Sequence, residues 1–220
     1  MAYPQIPLLP GRYYHLYNRG NNSENVFIEE RNYTYFLEQY SKHVVPFVDT
    51  YAYCLLRNHF HFLIRVKTES DLKREFTNHR SERLEHSERY ERCKTNDDLQ
   101  KAVARGIQSW FGTYAMAINK AYKRTGKLFQ EHFGRIEVYS DQYFTNLIAY
   151  IHFNPQKHGF VDDFREWAWS SYGALASPSK TTLKREAVLN WFEGEALFRS
   201  FHLNAIDERL IAPLIGDDFD

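Results

Sequence analysis

Val48-Asp49-Thr50-Tyr51-Ala52-Tyr53-Cys54-Leu55-Leu56-Arg57-Asn58-His59-Phe60-His61-Phe62-Leu63-Ile64-Arg65-Val66 holds two aromatic and aliphatic runs, 48–56 and 59–66, broken only by Arg57-Asn58. Strand-favouring residues on both sides of a short polar break read as a β-hairpin, and Asn tolerates the left-handed conformation that a two-residue turn asks for. Successive side chains of a strand point to opposite faces. Phe60, Phe62 and Ile64 therefore enter a core, while His59, His61 and Arg65 share the other face.

On the N-terminal side, residues 12–18 are rich in strand-forming aromatics and run into a cluster of turn residues, Arg19-Gly20-Asn21-Asn22-Ser23. Tyr33, Phe36, Leu37, Tyr40 and Val44 then recur at helical spacing, which predicts a helix over 30–44. On the C-terminal side, residues 67–98 carry 8 basic and 9 acidic side chains with few apolar ones, and read as an exposed, partly helical insertion. From Leu99 onward Val103, Ile107, Trp110, Phe111, Tyr114 and Ile118 fall on one face of a long helix, closed by Lys120, Lys123, Arg124 and Gly126. Residues 127–138 look extended. A further helix capped by Ser140 or Asp141 is expected to end at Asn154-Pro155, because proline disfavours helical geometry in the residue before it. The order β-α-β-β-α-β-α predicts an α+β fold of the ferredoxin-like, or split βαβ, kind: an antiparallel sheet covered by helices. Trp167, Trp169, Trp191, Phe192, Phe198 and Phe201 predict a C-terminal helical extension over 161–220 that packs on the 1–160 body.

The 220 residues balance 28 Lys+Arg against 28 Asp+Glu, with two cysteines and a mean hydropathy of −0.60. No apolar stretch approaches the roughly 20 residues of a membrane span. The start has no basic segment followed by an apolar run, which points to the cytoplasm. The charge is nonetheless split along the chain. Residues 161–220 carry 6 basic and 11 acidic side chains, whereas 101–140 carry 7 basic ones (Lys101, Arg105, Lys120, Lys123, Arg124, Lys127 and Arg135) against two acidic, interleaved with aromatics. Basic groups among aromatic faces suit a single-stranded nucleic acid, although a solvated helix with a core stripe has the same composition. Tyr13, Tyr14 and Tyr122 are the candidate base-stacking rings, and Arg65 is a candidate phosphate holder.

Two side-by-side imidazoles, His59 and His61, read either as a metal clamp or as half-exposed strand histidines. Nitrogen donors suit Mn²⁺, Fe²⁺, Co²⁺ or Zn²⁺, whereas Mg²⁺ prefers oxygen, and any such ion needs a third ligand. On the helix from 141, Phe144, Leu147, Ile148 and Ile151 form a core stripe, with Tyr143, Asn146, Tyr150 and Asn154 on an adjoining face. Spacing alone does not single out any of these tyrosines.

His59-Phe60-His61 after a hairpin, then a basic helix, then Tyr150-Ile151-His152-Phe153-Asn154-Pro155 with Lys157-His158-Gly159, and later Trp169-Ser170-Ser171-Tyr172, resembles the single-tyrosine HUH transposases. Within them it is most similar to the REP-associated tyrosine transposases, from about Arg12 to Tyr172. The resemblance implies that residues 1–160 are a catalytic domain in which His59, His61 and Asn154 hold a divalent metal ion (Mn or Mg) and Tyr150 is the nucleophile. It implies a metal-dependent single-strand DNA endonuclease and strand transferase that forms a 5′-phosphotyrosine on hairpin-containing single-stranded DNA. In that picture Arg65, Lys120, Lys123, Arg124, Lys127 and Arg135 bind DNA, and no membrane is involved. The alternatives are a noncatalytic single-strand nucleic-acid-binding module of the same fold, and a relaxase or replication-initiator nuclease. A homodimer is compatible with this picture.

Overall fold

A computed structural model of the chain describes residues 6–78 and 95–203. Four strands, β1 (Tyr13–Arg19), β2 (Val48–Leu55), β3 (His59–Val66) and β4 (Gly134–Val138), form one antiparallel sheet in the order β2-β3-β1-β4. Two helices between the strands, α1 (Glu30–His43) and α3 (Asn96–Ala121), pack on one face; α2 (Glu69–Asn78) follows the hairpin. This is the expected split βαβ arrangement. The other face is covered by α4 (Asp141–Lys157) and by the helices that follow it, α5 (Tyr172–Leu175), α6 (Arg185–Trp191) and α7 (Glu195–Leu203). Among the described residues no helix is long and apolar enough to cross a membrane.

Because helices lie on both faces, β2 and β3 are buried almost along their whole length. Phe60, Phe62 and Ile64 join Leu16, Phe36, Trp110 and Tyr114 in the core under α1 and α3. Leu63, Ala52 and Cys54 join Phe144, Ile148, Val188 and Phe198 in the core on the opposite side. Gly106 lets α3 lie close against the end of α1, since a Cβ there would lie 2.4 Å from the carbonyl oxygen of His43.

The C-terminal segment also protects an edge. The N–H of Leu55 donates to Trp169 O (3.0 Å), and the N–H of Ser171 donates to Tyr53 O (2.9 Å), so β2 does not offer an open row of backbone groups there.

Several boundaries differ from the sequence reading. Helix α3 begins at Asn96, inside the charged stretch: Thr95 caps it by accepting from the Asp98 N–H while Asp98 accepts from the Thr95 N–H. Of the expected 67–98 insertion, 69–78 form α2 and 79–94 lie outside the described residues, as do 204–220 of the extension. Helix α4 runs through Pro155 to Lys157, with the His158 N–H returning to Asn154 O (3.0 Å). Proline removes one helical donor but does not stop a helix whose buried face continues past it. The hairpin turn holds no residue with positive φ at 57 or 58. Its carbonyls are taken instead by neighbouring chain, Arg57 O accepting from Val26 and Phe27 and Asn58 O from Gly20.

Candidate active site

On β3, His59 and His61 point away from the Phe60/Phe62 core, as strand alternation requires, and face α4. The Tyr150 ring stands edge-on to His61, with centroids 5.8 Å apart. Asn154, one turn beyond Tyr150, lies close enough to His59 to favour its protonated form. The strand pair, the tyrosine and the amide thus converge from two elements.

The donor atoms have defined orientations. Asn154 donates its Nδ2–H to Tyr150 O (3.0 Å), which leaves Oδ1 as its outward atom. His59 Nδ1 is 2.8 Å from Asn58 Oδ1, an atom that can only accept, so Nδ1 carries the proton and Nε2 the lone pair. His61 Nδ1 is 2.9 Å from His15 Nε2, with the two rings stacked at 5.1 Å. Among the described residues, His61 Nε2 and Asn154 Oδ1 are buried with no hydrogen-bond partner. Burial, followed by the repulsion of His158 and Arg19, pushes the pKa of His59 down to about 3. Burial likewise holds His61 well below the usual range, with His15 next in effect. Both imidazoles are therefore neutral near pH 7, the form in which a ring nitrogen can ligate a metal.

No set of three or more His, Cys, Asp or Glu side chains is arranged to hold a metal ion among the described residues. The donor set here contains an amide oxygen as its third member. Two neutral imidazole nitrogens and a carbonyl-type oxygen, two of the three atoms buried without a partner, fit a borderline divalent cation.

Four side chains missing from the expected set surround this centre. His15 and Tyr17, on β1, share the face of the histidines, Tyr17 directly opposite His61 in register. The Tyr17 ring packs so closely on β4 that a Cβ at Gly134 would lie 2.1 Å from it. Lys157 places its ammonium 5.4 Å from the centre of the Tyr150 ring, and His158 stands 5.1 Å from His59. Lys157 is seven residues after Tyr150, which returns it to the same helix face, and that spacing is a usable sequence signal. Tyr150 is only 3% exposed and Asn154 not at all, so both lie beneath the surface.

The remaining expected residues are more dispersed. Arg65 is at the far end of β3, where its guanidinium binds Asp71 (2.8 Å) and Asp49 (3.2 Å); it ties the hairpin to the start of α2. Lys120, Lys123 and Lys127 are exposed near the C-terminal end of α3, Lys127 pairing with Glu131 at 3.3 Å. Arg124 is held by Glu24 and by Asn119. Arg135 lies over the Phe133 ring at 5.0 Å, on the sheet face opposite the histidines. Tyr14 is fully buried, Tyr13 packs against Tyr51 and Phe144, and the Tyr122 hydroxyl bonds Glu29 and Asn32, so these rings are committed within the protein.

His152 points to the other side of α4, as its angle round the helix predicts. Its nitrogens meet His202 Nε2 and Ser171 Oγ, each at 2.8 Å, joining α4 to α7 and to the strap along β2. Burial pushes His202 down to about 4 and His152 well below the usual value. The unfolded chain therefore takes up protons near pH 6.5 that the folded chain refuses, and stability falls as pH drops from 6.5 toward 4. His202 alone is expected to cost about 2 kcal/mol by pH 5. Urea midpoints at pH 7.5 and pH 5 should separate more in the parent than in His202→Gln; equal separations would contradict this role.

No protein-family model matches the chain. The chain is 26% identical over 136 residues to a Haemophilus influenzae protein curated provisionally as a REP-associated tyrosine transposase; the match spans 58% of this chain and 60% of that protein's length. In fold it is similar to a solved REP-associated tyrosine transposase bound to a REP hairpin, with a TM-score of 0.54 and 12% identity over 83% of this chain and 89% of the other. The family resemblance read from the sequence thus agrees with the description of a sequence relative, and the structural neighbour has a similar fold.

Proposed function

We propose that this chain, being of the REP-associated tyrosine transposase type, is a DNA strand transferase that cuts hairpin-containing single-stranded DNA with Tyr150. The observation that carries the reading is that Tyr150 stands against His61, His59 beside His61 and Asn154 near His59, with His61 Nε2 and Asn154 Oδ1 both buried without a hydrogen-bond partner.

In the reaction, Tyr150 Oη loses its proton and attacks phosphorus; the bond to the 3′ oxygen breaks, and that oxygen takes up a proton to become a free 3′-hydroxyl. The strand's 5′ phosphate remains joined to Tyr150. Because one phosphodiester replaces another, a second 3′-hydroxyl reverses the step and joins strands without ATP. The ammonium of Lys157 beside the phenol favours the negative charge that builds on its oxygen. His59, His61 and Asn154 would hold a divalent ion, which supplies charge withdrawal from the non-bridging phosphate oxygens. The nearness of a tyrosine, a lysine and three donor side chains favours the catalytic reading over a noncatalytic module.

His15 supports this reading as a positioning residue. Its Nε2 accepts from His61 Nδ1–H when His61 presents Nε2 as a ligand, so it fixes both the ring and the tautomer. His15→Ala is expected to weaken Mn²⁺ binding about 10- to 100-fold, as read by electron paramagnetic resonance titration, while His15→Gln, which keeps an acceptor, recovers part of it. Unchanged affinity in His15→Ala would contradict the role.

The function is tested with one oligonucleotide offered as hairpin with single-stranded flank, as unstructured strand and as perfect duplex. Cleavage of the hairpin form above the others is expected, since a stacked duplex holds its phosphate in a backbone the site must distort. Equal cleavage of all three contradicts the substrate, and binding without any cleavage favours the noncatalytic alternative.

A further inference from the structure

On the sheet face opposite the histidines, a cavity of about 470 Å³ opens between α3, the start of β4 and the segment before it, within the roughly 300–1,000 Å³ typical of small-ligand sites. Its α3 wall is a single stripe, Gln100, Ala104, Gln108 and Phe111, spaced by successive helical turns. The methyl group of Ala104 leaves the space between the two glutamines. Gln130 and Phe133 stand across from them. Phe111 and Phe133 form a half-buried aromatic corner, with centroids 5.7 Å apart, and the Arg135 guanidinium lies over Phe133.

We infer that this cavity takes one unpaired nucleobase of the DNA strand whose phosphate is cut at Tyr150; the inference rests on the function proposed above. Carboxamides present a donor and an acceptor side by side, the pattern that matches the edges of bases. Aromatic rings and a stacked guanidinium supply flat faces for a base. A phosphate is the poorer occupant, because Glu131 also lines the cavity and neutral amides outnumber cations there.

Placement supports the same occupant. Asn18 lines the cavity, and its neighbour Arg19 faces the other side of the sheet, paired with His59 and close enough to lower its proton affinity. The cavity and the cutting site are therefore front and back of the same end of β1.

The test is binding of hairpin oligonucleotides, each with one unpaired flanking position made abasic, to the parent, to Ala104→Leu, which fills the cavity, and to Gln108→Ala. One position is expected to matter: its abasic form should bind the parent about tenfold more weakly. Ala104→Leu and Gln108→Ala should weaken the intact oligonucleotide by a comparable factor and then be indifferent to the abasic change at that position. If the parent binds and cleaves hairpin strands while folded Ala104→Leu and Gln108→Ala bind like the parent, or the abasic and cavity effects simply add, the cavity assignment is overturned and the function stands. A parent that binds no hairpin strand overturns both.

Discussion

Tyr150→Phe is expected to abolish the covalent protein–DNA species and to lower strand cleavage by on the order of 10⁴-fold or more, the scale set by removal of a nucleophile that no other group replaces. The change deletes one oxygen. The ring keeps its edge contact with His61 and its place under Lys157, so hairpin binding and thermal stability should stay near the parent's. Tyr143→Phe is the internal control: it lies two turns earlier on α4, and its backbone N–H bonds the Ser140 cap. A denaturing gel of the trapped complex reads both variants. An adduct that persists in Tyr150→Phe and disappears in Tyr143→Phe would move the nucleophile elsewhere.

Removal of a donor atom at the centre should be nearly as severe. His61→Ala and Asn154→Ala are each expected to lower cleavage by at least on the order of 100-fold, with a matching loss of divalent-ion affinity. His61 projects away from the core that holds Phe60 and Phe62, so the fold should survive its loss, although His15 then loses its partner. Excess chelator should silence the parent, and Mn²⁺ should restore activity at least as well as Mg²⁺, because two of the three donors are imidazoles. Circular dichroism distinguishes a folded inactive variant from an unfolded one. Full activity in chelator would remove the metal from the account and leave Tyr150 and Lys157 to act without it.

The central layers were legible wherever one residue pattern had one physical meaning. The Phe60/His61/Phe62 alternation separates core from site because a strand offers only two faces, and the Val103-to-Ile118 stripe has only one way to bury itself against α1 and the sheet. Helix ends were less legible. Thr95 and Asp98 form a capping box inside a charged stretch, and its polar residues read as exposed chain until the cap is noticed. Pro155 looks like a stop, but Ile151, His152 and Asn154 around it are buried, and packing carries the helix through.

Within the candidate site, His59, His61, Tyr150 and Asn154 follow from short local spacings combined with a family resemblance. His15 does not, since it meets His61 only through the β1–β3 register, a pairing across 46 residues. His158 looks like a turn residue in the sequence, and it and Lys157 reach the centre because the helix continues past Pro155. Arg65 shows the converse: its strand face was read correctly, but two carboxylates, one from β2 and one from α2, claim its charge. Charge counting along a chain cannot register such pairing, and the same holds for Arg124 with Glu24.

Direct identification of the linked residue tests the whole account. The parent protein is incubated with a hairpin oligonucleotide and divalent ion, the covalent complex is digested with protease and nuclease, and the remaining nucleotide is located by tandem mass spectrometry. The account predicts a 5′-linked nucleotide on Tyr150, together with an equal amount of free 3′-hydroxyl on the released strand. A nucleotide on any other residue, or cleavage that leaves a free 5′-phosphate and no adduct, would contradict it.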